Sequence, residues 1–124
     1  MHYQVLKNFI TERVRKNDIF VPTAILFLVK NEGKGTKKEI SRLAYIFDYK
    51  FDLEHYDTII DKLVSTILED YNIIKKDGES YTLTTWPLKE REIEDIINLC
   101  AKVSNGFFSL SNHGKKQIIK EHTT

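Results

Sequence analysis

The sequence predicts a mainly α-helical domain with one small β-hairpin, an α+β class, and three observations lead there. Apolar side chains return at Leu53, Tyr56, Ile60, Leu63 and Ile67, close to the 3.6-residue period of a helix. The period then drops to two, in Ile73 to Lys76 and again in Ser80 to Thr84. Between those runs stands Asp77-Gly78, which suits a type I′ turn because both central residues of that turn need positive φ. A helix that feeds directly into a hairpin is the second half of a winged helix-turn-helix. There the helix can enter a DNA major groove, and the hairpin (the wing) can touch the neighbouring backbone.

Each remaining element has its own signal. Residues 3 to 16 read as an amphipathic helix with Val5, Leu6, Phe9, Ile10 and Val14 on one side and Lys7, Arg13, Arg15 and Lys16 off it. Asn17-Asp18 breaks it. Pro22 suits the first turn of a second helix, where its missing N–H costs nothing. The run from Ala24 to Val29 is almost wholly apolar and places that helix centrally. Gly33 ends it as a left-handed residue, and Gly35 keeps the next link short. Thr36-Lys37-Lys38-Glu39 matches a capping box, in which Thr and Glu satisfy each other's free backbone donors. The third helix then runs to about Phe47, with Ile40, Leu43, Ala44 and Phe47 inward and Lys37, Lys38 and Arg42 outward. Asp52 caps the fourth helix. After the hairpin, Pro87 and Leu88 start a fifth, with Ile93, Ile96, Ile97, Cys100 and Val103 as its apolar stripe and Asn105-Gly106 as its stop. Phe107 to Leu110 reads as a short strand or extended segment, and Asn112 to His122 as a short helix or a tail. The expected organisation is a winged-helix domain over residues 1–106, with its core at about 20–104, flanking helices at both ends, and a tail or linker start over 107–124.

Composition bounds the function. At 124 residues, 41% apolar and 30% charged, the chain is one globular domain with a modest core. The net charge of +1 gives no general attraction to nucleic acid, so any such role rests on local charge. A single cysteine, Cys100, leaves no internal disulfide and no Cys-rich zinc site, and fits a reducing, cytoplasmic setting. No apolar run has the length of a membrane span, and Lys7, Glu12 and Arg13 interrupt any secretory signal. Gly33-Lys34-Gly35 lacks the spacing of a phosphate-cradling loop, and no cofactor or metal is expected.

Phe20–Leu26, Asn31–Ile40, Leu53–Tyr56, Ile73–Leu83 and Leu88 through Leu99-Cys100 together follow a familiar pattern. In their order and spacing they resemble the N-terminal winged-helix module found ahead of HNH-type endonuclease domains in restriction-like enzymes, over residues 20 to 104. The resemblance implies a DNA-reading module that delivers a separate nuclease to its target, some such modules reading a methylated base. The nuclease itself is not in this sequence. An HNH site needs a histidine base and closely placed metal ligands, whereas His2, His55, His113 and His122 are scattered.

The candidate sites emerge from charge and position. From Lys34 to Arg42 four cations meet one acid, Glu39, and Lys37, Lys38 and Arg42 crowd a helix start whose backbone donors already favour phosphate. The bland alternative is a solvated face. On the fourth helix His55, Thr58, Lys62 and Ser65 are outward hydrogen-bonding types suited to base edges, as are Glu54 and Asp61. Against this, residues 52–70 carry six acids (Asp52, Glu54, Asp57, Asp61, Glu69 and Asp70) and one base, Lys62. Such a surface fits a protein partner, or a ligand other than standard duplex. Lys75, Lys76 and Gly78 form the wing, where only one of the two lysines faces DNA; a charged edge that resists aggregation is the other reading. Trp86 reads first as core packing, and alternatively as a wall for a flipped or methylated base. Tyr45, Tyr49, Tyr56 and Tyr81 read as core or boundary aromatics, and Cys100 as a small buried hydrophobe.

The sequence therefore predicts a non-catalytic module for double-stranded DNA, with a C-terminal nuclease domain as its context. Two alternatives remain open: a small dimeric winged-helix transcription regulator, in which the first and fifth helices pair, and a winged helix that binds protein.

Overall fold

The computed structural model describes residues 2–15, 18–48 and 50–104. In order, these form α1 (His2–Arg13), α2 (Phe20–Lys30), β1 (Lys34–Thr36), α3 (Lys37–Asp48), α4 (Leu53–Ile59), a π-helical segment (Ile60–Val64), α5 (Ser65–Asp70), β2 (Ile74–Asp77), β3 (Ser80–Leu83) and α6 (Glu90–Val103). The architecture is mostly helical with one antiparallel sheet. The sheet has three strands in the order β1-β3-β2, one more than the hairpin alone. The added strand is the short link, whose Lys34, Gly35 and Thr36 face Thr82, Tyr81 and Ser80. Three residues are too few to show a period of two, so this strand left no pattern to read. Among the described residues no helix is long and apolar enough to cross a membrane.

The start and stop signals act as their chemistry requires. Thr36 and Glu39 form the reciprocal cap of α3: the Thr36 N–H donates to Glu39 Oε1 at 2.9 Å and the Glu39 N–H to Thr36 Oγ1 at 3.2 Å. Asp52 Oδ1 accepts the His55 N–H at 3.0 Å. Asp18 does more than break the chain, because its Oδ1 accepts the Phe20 N–H at 2.9 Å at the start of α2. The stop of α2 falls one residue earlier than expected: Asn31 is the C-cap, Glu32 takes the left-handed C′ position at φ +58°, and Gly33 follows it at φ +82°, its N–H donating to the Leu28 carbonyl at 2.7 Å.

Three boundaries differ from expectation. Asp77 pairs with Ser80, so the two turn residues are Gly78 and Glu79, and of these only Gly78 has positive φ (+64°). That is the pattern of a II′ turn, where glycine takes the first central position, rather than of I′. α6 begins at Glu90 instead of Pro87, because the Lys89 N–H finds the Glu92 carboxylate at 2.9 Å and caps the helix there. α1 ends at Arg13, and Val5 is exposed at the margin of a face centred on Leu6 and Ile10. Asn17, the Asn105-Gly106 stop and the readings of 107–124 fall outside the described residues.

The largest departure lies in residues 53–70. These form one continuous helical run, but Ile60–Val64 is π-helical, with hydrogen bonds reaching five residues back instead of four. The extra residue in that turn rotates all later side chains about the helix axis. Tyr56, Ile60, Val64, Ser65 and Leu68 face inward, while Leu63, which the 3.6 period places inward, stands 54% exposed. The Ser65 hydroxyl donates to the Asp61 carbonyl and the Thr66 hydroxyl to the Lys62 carbonyl, each four residues back. Side-chain donors thus serve carbonyls within the distorted turn.

One core unites the helices and the sheet. It joins Leu6, Phe9 and Ile10 of α1, Ala24, Ile25 and Leu28 of α2, Ile40 of α3, Ile60 and Val64, Leu68 of α5, Tyr81 and Leu83 of β3, and Ile96 and Cys100 of α6. α1 and α6 are therefore part of the core rather than loose flanks. The Tyr3 hydroxyl donates to Asp95 and the Lys7 ammonium lies 3.8 Å from the same carboxylate, which fixes α1 along α6.

Candidate nucleic-acid interface

Three segments singled out by sequence meet on this scaffold: the first turn of α3, the middle of the 53–70 run and the hairpin. Two contacts join them. The Lys37 N–H donates to the Glu79 carbonyl at 2.9 Å, and its ammonium lies 3.6 Å from the Glu79 carboxylate, so the hairpin turn rests on the start of α3. The Lys76 ammonium lies 3.4 Å from Asp61, which ties β2 to the π-helical segment.

The same contacts change the roles of two cations. Lys37, expected outward, has a side chain only 22% exposed and a carboxylate partner. Lys76 is engaged likewise, while Lys75 is exposed on the other side of the strand. Partly exposed pairs of this kind are worth about 1 kcal/mol or less, so a phosphate can replace either carboxylate cheaply. Lys38 and Arg42 are exposed, one turn apart on α3, and make no ion pair among the described residues. Gly78 sits at an open tip, with no atom within 4 Å of where a Cβ would stand.

On the 53–70 run His55, Thr58 and Lys62 are exposed, and Thr66 joins them. Ser65 does not. It is 1% exposed, rotated inward by the π-helical turn, and its hydroxyl is bonded to a backbone carbonyl, so it is no base-edge contact. The acids of this stretch are partly accounted for, since Asp52 caps α4 and Asp61 holds Lys76. Asp57 is half-buried with one carboxylate oxygen, Oδ1, buried and unpartnered. We have no physical account of that oxygen.

The aromatic residues divide by burial. Trp86 packs against the core with its ring over Gly33, where an added Cβ would come within 2.4 Å of Trp86 Cγ. That packing matches the first of the two sequence readings of Trp86, which is half-buried. Tyr81 is buried in the core, and burial raises its hydroxyl above the usual phenol value. Burial does the same to Tyr56, helped by its bond to Asp48. Its hydroxyl donates to Asp48 Oδ2 at 2.7 Å and accepts the Lys50 N–H at 3.0 Å. Burial pushes the Cys100 thiol up to about 12, so it stays protonated and packs as a small apolar group.

Phe51 is the residue that sequence reasoning passed over. It is 53% exposed and its ring stacks on His55, centroids 4.2 Å apart and planes 34° apart. A signal for it existed. Phe51 directly precedes the cap Asp52, and Tyr56 is the fourth residue of the helix, the two positions of a hydrophobic staple. Their rings lie 6.4 Å apart.

Of the four histidines, only the side chain of His55 is among those described. Among the described residues no three His, Cys, Asp or Glu side chains gather as a metal site. What the surface can do is present cations beside a row of hydrogen-bonding side chains. Comparison with family models, with curated proteins and with solved structures gives no match, so the reading of this surface rests on its own geometry.

Proposed function

We propose that this chain is a winged helix-turn-helix module that binds double-stranded DNA. Lys38 and Arg42 on α3 hold phosphates, the hairpin tip at Gly78 and Lys75 reaches the flanking backbone, and His55, Thr58 and Lys62 face the groove. The observation that supports it most is the pair of ties Lys37–Glu79 and Lys76–Asp61, which hold α3, the hairpin and the 53–70 run beside one another. The element order from α2 to β3 and the strand order β1-β3-β2 also suit a winged helix. Its context, by the resemblance to nuclease-associated winged helices, is target recognition for an HNH-type enzyme. The dimeric-regulator alternative loses its main support, because α1 and α6 bury their apolar faces within their own chain.

Fluorescence anisotropy with a labelled duplex tests the reading. Affinity is expected to fall steeply between about 50 and 200 mM salt. Lys38→Ala with Arg42→Ala is expected to lower the log–log salt slope by about 2, one for each phosphate contact removed. Methylated and unmethylated duplexes compared side by side report on the target. Absence of binding to either at low salt overturns the reading. It would favour a protein partner instead, for which the exposed Leu63, between half-buried Ile59 and Ile67, is the specific observation.

A further inference from the structure

Phe51 keeps more than half of its surface in water although it sits on a pinned stretch of chain. On one side of it the Lys50 N–H is bonded to the buried Tyr56 hydroxyl, and on the other Asp52 caps α4. Beneath it, the ring of His55 meets that of Tyr56 edge-on at 5.6 Å and 89°, and Tyr45 meets Tyr56 at 5.9 Å. The staple accounts for the edge of Phe51 that meets Tyr56 and leaves its open side unexplained. The result is a two-layer platform at the start of α4, Phe51 on His55 with the two rings tilted by 34°.

We propose that this platform stacks one unpaired nucleobase of the DNA that the domain holds. The proposal rests on the DNA-binding function and deepens it: the preferred ligand is a duplex containing an unstacked base rather than a continuous one. An aromatic face accepts any base, because every base has a π face. Lys50, 74% exposed at its side chain and paired only loosely with Asp48 at 3.9 Å, stands next in sequence to take the accompanying phosphate. His55 then serves as the second layer of the stack, a different role from reading a base edge.

The test uses two short duplexes of the same sequence, one fully paired and one carrying a single 2-aminopurine opposite an abasic site. The full-length chain is expected to bind the second about tenfold more tightly, the size of one stacked base, and to quench its 2-aminopurine fluorescence. Phe51→Ala is expected to abolish both the preference and the quenching while leaving affinity for the paired duplex unchanged. Phe51→Trp is expected to keep both, and melting curves verify that each variant folds. Equal affinity of the wild-type chain for the two duplexes, without quenching, overturns the platform and leaves the DNA-binding reading standing. Absence of binding to either duplex overturns both.

Discussion

α3 and the 53–70 run lie against each other, and each opens with a side-chain cap, yet only one keeps the period its sequence announces. In α3 the residues expected inward, Ile40, Leu43, Ala44 and Phe47, are all buried. In the second run the first member, Leu53, is exposed at the helix start, Tyr56 and Ile60 are buried as expected, and the pattern then fails, with Leu63 out and Val64 and Ser65 in. Hydrophobic spacing locates a buried face only while the hydrogen-bond register stays constant. Once the bonds reach five residues back, every later side chain is displaced around the axis. The displacement also decides which side chains the surface presents, since it takes Ser65 off the exposed row and puts Leu63 on it.

The strongest way to break this contrast is at Tyr56, before the register changes. Tyr56→Ala removes a fully buried ring, and chemical denaturation is expected to show a loss of about 3–5 kcal/mol. The sharpest discrimination comes next, at the turn itself. Val64→Ala is expected to cost about 2 kcal/mol and Leu63→Ala no more than about 0.5 kcal/mol, because one deletes buried methyls and the other trims a solvated side chain. An unbroken α-helix reverses that order, so the two midpoints side by side decide the register. The smallest effects belong to the caps that both helices share. Thr36→Ala and Asp52→Ala each remove one, and thermal melts are expected to show about 1 kcal/mol for each.

The features legible in the sequence were those that depend on a few neighbouring residues. The capping box at Thr36 to Glu39, the Asp52 cap and the positive φ of Gly33 are local chemistry and stand in the structure as expected, although Glu32 rather than Gly33 holds the C′ position. The π-helical turn was not legible, because Leu63 and Val64 are both apolar and either could fill the inward position. β1 was hidden because its partner lies over forty residues away, at Tyr81, and its own three residues carry no pattern. The candidate surface shows the same division. Residue type and position placed Lys38, Arg42 and Thr58 outward, where the structure has them exposed. The partners of Lys37 and Lys76, and the inward turn of Ser65, depend on contacts between segments distant in the chain. Trp86 was ambiguous by composition alone, and the glycine beneath it supports the packing reading.

Thr36 is the last residue of β1 and at the same time the cap of α3. No hinge separates ribbon from helix, since the residue that pairs with Ser80 also accepts the Glu39 N–H of the next turn. Whatever pushes on the ribbon therefore moves the neighbouring cationic ridge by an equal amount, as one jaw of a clamp. On the proposed DNA-binding reading, a groove of the wrong width would meet no loose joint between ribbon and ridge, because one threonine belongs to both.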